Sequence, residues 1–130
     1  MNFQQLLIIG RVGRDSEMRY TPNGQAVTSF SVAVSEEYTK DGSKVKSTIW
    51  VRVSVWGKLA EVCNQYVRKG MLVQCVGKLK GDESGSPRIF NKQDGTASTS
   101  FEMTAQSVLF LSKNDAPVAK NEQVEEDMPF

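Results

Sequence analysis

The sequence predicts an all-β domain of five strands with one short helix, followed by a disordered acidic tail. Three observations carry that prediction. Thr48 to Trp56 alternates strictly, with Ile49, Val51, Val53 and Val55 on one side and Thr48, Trp50, Arg52, Ser54 and Trp56 on the other. Side chains on a strand alternate faces, so this is one strand with two unlike faces. After Gly57 the period changes, and Leu59, Val62, Cys63, Tyr66 and Val67 recur at helical spacing. From Lys113 periodicity is lost, and polar and acidic residues dominate.

Taken in order, Leu6-Leu7-Ile8-Ile9 is wholly apolar, ends at Gly10, and reads as a first strand buried on both sides. Arg11 to Gln25 is turn-rich; Thr21-Pro22-Asn23-Gly24 puts proline where φ is preset and glycine where positive φ is needed. Val27 to Ser35 is a second strand, with Phe30, Val32 and Val34 on one face and Ser29, Ser31 and Ala33 on the other. Glu36 to Lys46 reads as a polar, lysine-rich loop with a hairpin signal at Asp41-Gly42, and it carries Tyr38. Thr48 to Trp56 is the third strand. The helix after it ends in Arg68-Lys69-Gly70, which puts cations at its C-terminal end and a glycine stop beyond. Cys63 and Tyr66 are read as core residues of that helix. Met71 to Lys80 is a fourth strand, in which Gly77 hints at a bend or bulge. Gly81 to Ser98 is a long polar hairpin carrying Arg88, Phe90 and Lys92. Thr99 to Leu111 is a fifth strand, with Phe101, Met103 and Ala105 on one face, then Val108 and Phe110.

Strand-strand-strand-helix-strand-strand is the order of an OB-fold, a small five-stranded Greek-key barrel that commonly binds single strands or sugars. An SH3-like barrel or an open sheet with one helix shares that order. At 130 residues one domain is expected, with enough chain for a core. No apolar run reaches the length of a membrane span, and residues 1–20 lack the pattern of a secretion signal. Cys63 and Cys75 have no metal-binding spacing and are read as two buried free thiols. The absence of histidine removes the commonest general base and the usual nucleophile triads. Asp15/Glu17 and Glu36/Glu37 fall in loops, so no catalytic pair stands out.

Charge is divided along the chain. Residues 1–112 hold 14 Lys/Arg and 10 Asp/Glu, and residues 113–130 hold 2 and 5. A mildly basic body with an acidic end suggests two partners of opposite charge, or a tail that competes for the body's own site. On the third strand, burying Arg52 unpaired would cost several kcal/mol in order of magnitude, so the even face is the one left in water. Two exposed indoles beside a cation suit stacked bases and a phosphate backbone; a subunit interface or a barrel end would also use them. Phe90 between Arg88 and Lys92 repeats the pattern. The end of the chain, Glu125-Glu126-Asp127-Met128-Pro129-Phe130, offers charges, a rigid proline, an apolar anchor and a carboxylate. A basic pocket with an apolar slot would hold it.

Four stretches, in order, resemble bacterial single-stranded DNA-binding proteins. They are Ile9-Gly10-Arg11-Val12-Gly13-Arg14-Asp15-Ser16-Glu17-Met18-Arg19-Tyr20-Thr21-Pro22-Asn23-Gly24, then Trp50-Val51-Arg52-Val53-Ser54-Val55-Trp56-Gly57-Lys58-Leu59-Ala60-Glu61, then Tyr66-Val67-Arg68-Lys69-Gly70, and finally Asp127-Met128-Pro129-Phe130. The resemblance implies an OB-fold single-stranded DNA-binding domain over residues 1–112, usually assembled as a homotetramer. It implies sequence-independent binding in replication, recombination and repair, and an acidic tip within 113–130 that recruits genome-maintenance proteins. It implies no enzyme activity, cofactor, metal or membrane, and a cytoplasmic, nucleoid-associated location. Trp50 and Trp56 fall at the family's stacking aromatics, Tyr38 near another, and Phe90 at the aromatic of the long hairpin. Arg52, Lys58, Arg19 and Lys69 fall at basic places that meet phosphate. Arg11 and Arg14 are basic where the family often has neutral residues, and would add contacts.

The chain also departs from the family pattern. Asp82-Glu83-Ser84-Gly85-Ser86 interrupts the basic run expected after Gly77-Lys78-Leu79. Val51 stands where the family often has an interface histidine. The short linker between Leu111 and the tip reaches on the order of 20 Å. The rival readings are a primosomal-type OB protein acting through protein contacts, against which the tip argues, and a glycan-binding OB module, which would show little salt dependence.

Overall fold

The computed structural model describes residues 1–112. Its elements are β1 Leu6–Val12, β2 Glu17–Tyr20, β3 Ala26–Lys40, β4 Ser43–Trp56, α1 Lys58–Tyr66, β5 Leu72–Leu79, β6 Ile89–Asn91, β7 Ala97–Thr99 and β8 Phe101–Phe110. Strands neighbour one another in the order β1-β5-β8-β4-β3, and β1 pairs again with β3. That second pairing closes a five-stranded barrel. β4 and β8 run parallel and the other barrel pairs are antiparallel. With the helix between the third and fourth barrel strands, this is the OB-fold expected. β2 is added to β3 outside the barrel, and β6–β7 form a separate two-stranded sheet.

Two glycines make the closure possible. β1 pairs with β5 from Leu6 to Arg11, and with β3 at Arg11 and Val12. At the crossing a Cβ on Gly10 would run into the carbonyl of Ala33. Gly77 marks the bulge its sequence suggested: Val76 pairs with Ser107 and Gly77 with Ala105, so Gln106 is the extra residue. A Cβ on Gly77 would strike the backbone of Thr104. Inside, Val12, Phe30, Val32, Val51, Val53, Val55, Val73, Cys75 and Met103 pack against Ala60, Cys63 and Val67 from the helix segment. Each fully buried side chain of valine size or larger contributes roughly 1.5–3 kcal/mol. The buried Thr28 hydroxyl donates to the Ala60 carbonyl at 2.6 Å, which ties α1 to β3.

Several expectations need correction. β1 is not buried on both sides: Ile8 and Val12 face the core and Leu7 is exposed, because the barrel has only one interior. The turn-rich stretch contains β2, which pairs Glu17–Tyr20 with Ala26–Ser29. Glu36 to Lys46 is no loop but a continuous ribbon of β3 and β4, turned by Asp41 and Gly42, both at positive φ. Ile49 lies on that ribbon past the core and is exposed. On α1 the buried side is Ala60 and Cys63, whereas Val62 and Tyr66 are exposed; Tyr66 instead meets Phe110 at 6.0 Å between ring centroids. Phe101 opens β8 at the barrel end and is exposed, while Met103 and Ala105 are buried as expected. The helix stops at Tyr66, with Val67 as an extended cap and no basic residue in its last turn, short of Arg68-Lys69-Gly70; Arg68 Nη1 still reaches back and donates to the carbonyls of Asn64 and Val67. Both cysteines are buried and free.

Candidate nucleic-acid interface

The outward face of β4 presents Trp50, Arg52, Ser54 and Trp56. Register sets them beside Ala33, Ser31, Ser29 and Val27 of β3. β2 extends the same face, with Glu17 beside Ser29 and Arg19 beside Val27. Small side chains on β3 therefore make a low floor, and an indole stands at each end of the β4 row. Trp50 is 53% and Trp56 38% exposed. Six residues along a strand separate them by about 20 Å. That is too far for one base and suits two different bases of one strand.

Trp50 has a seat that sequence reasoning missed. Gly13, between β1 and β2, donates its N–H to the Ser31 carbonyl at 2.9 Å. A Cβ on Gly13 would lie 2.8 Å from Trp50 Cη2 and closer still to Cζ3. The indole thus rests on the Gly13 backbone. Nothing in the local sequence sets this glycine apart from a turn glycine, and its φ is not positive; only the approach of β4 requires it.

The cations gather unevenly. Arg52 is half-buried and lines a cleft of about 170 Å³ with Arg14, Asp15, Glu17, Ser29 and Ser31. Asp15 Oδ1 accepts the Lys69 N–H at 2.9 Å, which ties the β1–β2 turn to the loop after the helix and brings Lys69 near it. Arg11 Nη1 donates to the Gly70 carbonyl at 2.9 Å, so this guanidinium also braces that loop. Lys58 opens α1 directly after Trp56 and Gly57, at the helix end whose dipole disfavours a cation.

Two predicted aromatics lie elsewhere. Tyr38 pairs with Val45, and strand alternation puts both on the side of the ribbon away from Trp50, Lys44 and Lys46. Phe90 is in β6, with the Arg88 guanidinium 5.8 Å from its ring centroid. Arg88 itself pairs with Glu102 of β8 at 2.9 Å. The acidic insertion folds on itself. Asp82 Oδ1 accepts from the Ser84 hydroxyl at 2.7 Å and from the Ser84 and Ser86 N–H groups at 2.9 Å. These bonds, the Ser84 hydroxyl first, hold its carboxyl below the usual carboxylate range. The tip residues Glu125 to Phe130 lie outside the described residues.

A second outer sheet looks different. On β1, β5 and β8 the outward positions include Leu7 beside Val76, and Leu109 and Ile9 on either side of Gln74. Leu7 is 54% and Leu109 51% exposed.

An OB-fold barrel with aromatics and cations on one outer sheet is the class of protein these residues define. The Single-strand binding protein family matches residues 3–111, and the chain belongs to that family. A single-stranded DNA-binding protein of Neisseria meningitidis serogroup A is 38% identical over 112 residues, covering 85% of this chain and 61% of that protein. A serogroup B protein of the same description gives the same values. The match thus spans about three-fifths of these relatives' length. Among solved structures, a Plasmodium falciparum SSB in complex with ssDNA superposes with a TM-score of 0.67 at 22% identity, covering 85% of this chain and 96% of that one. A small single-stranded DNA-binding protein from Streptomyces coelicolor gives 0.68 at 22%, covering 85% and 95%. These two likenesses bear on the fold.

Proposed function

We propose that the β2–β3–β4 face binds single-stranded DNA without reading its sequence. The observation that carries this is the row Trp50, Arg52, Trp56 on one outward face, with Trp50 packed against Gly13. Bases stack on Trp50 and Trp56, each stack contributing about 1–3 kcal/mol by substitution. Arg14, Arg19, Arg52, Lys58 and Lys69 meet phosphates, and each neutralised phosphate adds about −0.7 to the slope of log affinity against log salt. Tyr38 and Phe90 stack bases on parts of the strand that pass beyond this row. Membership of the family supports the same ligand.

The aliphatic β1–β5–β8 face supports self-association, and a homotetramer is the assembly proposed. The acidic tip, on its sequence alone, is proposed to recruit replication, recombination and repair proteins. The protein acts by binding, not catalysis, in the cytoplasm.

Titration with long oligo(dT) at several salt concentrations, followed by tryptophan fluorescence with matched duplex as control, tests the proposal. Quenching at a fixed nucleotide-to-protein ratio, weakened by salt and missing with duplex, is expected. Binding that ignores salt would point to a glycan site instead, and no quenching would sink base stacking.

A further inference from the structure

We infer that Arg88 and Glu102 form a latch that docks the β6–β7 hairpin onto the barrel and, by occupying Glu102, leaves Arg52 free for a phosphate. This rests on the nucleic-acid reading of the β4 face.

Glu102 is an unusual residue for that face. It is the second residue of β8 and stands in register with Arg52 on parallel β4. Its neighbour Met103 points into the core, so alternation turns Glu102 to the outer side with Arg52. A carboxylate there, beside the central cation of a polyanion site, should weaken binding. Yet its side chain is only 5% exposed. Oε2 accepts from Arg88 Nε at 2.9 Å and from the Ser100 hydroxyl at 3.1 Å. Arg88 in turn lies over Phe90, the aromatic of the hairpin. One guanidinium therefore joins a barrel strand, the hairpin and its ring.

Arg52 is the alternative partner. Among the described residues its guanidinium has no hydrogen-bond or ion-pair partner, although Glu102 is its register neighbour. A carboxylate withdrawn from water is costly unless a cation meets it. Arg88 meets it, and Arg52 is left over. Without Arg88, Glu102 would draw Arg52 away from DNA, and the hairpin would lose its anchor. Arg88 acts here through Glu102 and Phe90, as a positioning residue.

The test uses the full chain with Arg88→Ala, Glu102→Gln and the double variant. Without DNA, amide hydrogen exchange over residues 89–99 should speed up at least tenfold in each single variant. Unchanged exchange would overturn the latch. With oligo(dT), Arg88→Ala should bind about tenfold more weakly, and its salt slope should shrink by about 0.7, one phosphate's worth. Adding Glu102→Gln should restore that slope and bring affinity within about threefold of Glu102→Gln alone. If the double variant stays as weak as Arg88→Ala, Arg88 touches DNA directly and the inference fails. Should Arg88→Ala not fold, Arg88→Lys takes its place: it keeps the charge and loses the Nε donor, so exchange should rise while the slope is kept, and a lost slope would count against the latch. If the wild-type chain does not bind oligo(dT), the reading of the face falls, and the exchange arm alone decides the latch.

Discussion

The two outer sheets of the barrel share one core and differ in what they offer outside. On the β2–β3–β4 side, serines and alanine separate two indoles, with arginines between and beside them. On the β1–β5–β8 side the middle of the outward face is Leu7, Ile9, Val76, Leu109 and Gln74, with Arg11 and Lys78 towards its ends. Flat π-surfaces with cations suit a flexible polyanion whose bases are free to stack. A patch of aliphatic side chains suits another apolar protein surface, because water is expelled from both when they meet. The difference teaches that a small barrel can meet two partners without a second domain, because strand alternation gives every strand a second face.

That contrast can be tested by changing one face and reading both. The largest effect is expected from Leu109→Glu. A charge at the centre of the aliphatic face should abolish self-association in sedimentation, while affinity for a short oligonucleotide stays within about threefold; an assembly that survives would show that this face is not the interface. Trp50→Ala should do the reverse. Loss of one stack, about 1–3 kcal/mol, weakens oligo(dT) binding roughly 5- to 150-fold and leaves the oligomeric state alone. Gly13→Ala should act in the same direction but less, on the order of threefold to tenfold, because the indole is pushed off its seat rather than removed. Equal affinity with wild type would mean that the seat does not matter to binding.

The smallest effect concerns the core that both faces share. Burial pushes the Cys63 thiol up to about 11, and burial together with Cys63 pushes Cys75 up to about 12, against an ordinary 9.0. A group with a raised folded value favours the folded state fully below pH 9.0, and that advantage is lost as pH rises through the folded values. Unfolding free energy should therefore fall between about pH 9 and about 12. Cys75→Val should flatten part of that fall in urea titrations at stepped pH, and an unchanged profile would remove the thiols as its cause.

Periodicity determined much of this protein from sequence alone. The two faces of Thr48–Trp56, the helix after Gly57, the succession of strands and helix along the chain and the buried thiols all follow from local spacing, because a strand repeats every two residues and a helix every 3.6. The hairpin turn at Asp41-Gly42 also fixes the register of the whole β3–β4 ribbon. A two-residue turn pairs Lys40 with Ser43, hence Ala33 with Trp50, and so places Tyr38 on the far side of the ribbon. Closure of the barrel decided the rest. Which apolar residues are covered depends on where the interior ends, so Ile49, Tyr66 and Phe101 keep the apolar spacing yet stand exposed. The seat of Trp50 on Gly13 and the pairing of Arg88 with Glu102 join segments that touch only once β1, β4 and β8 are assembled. Spacing along the chain carries no record of such contacts, since they depend on approach in space rather than on distance in sequence.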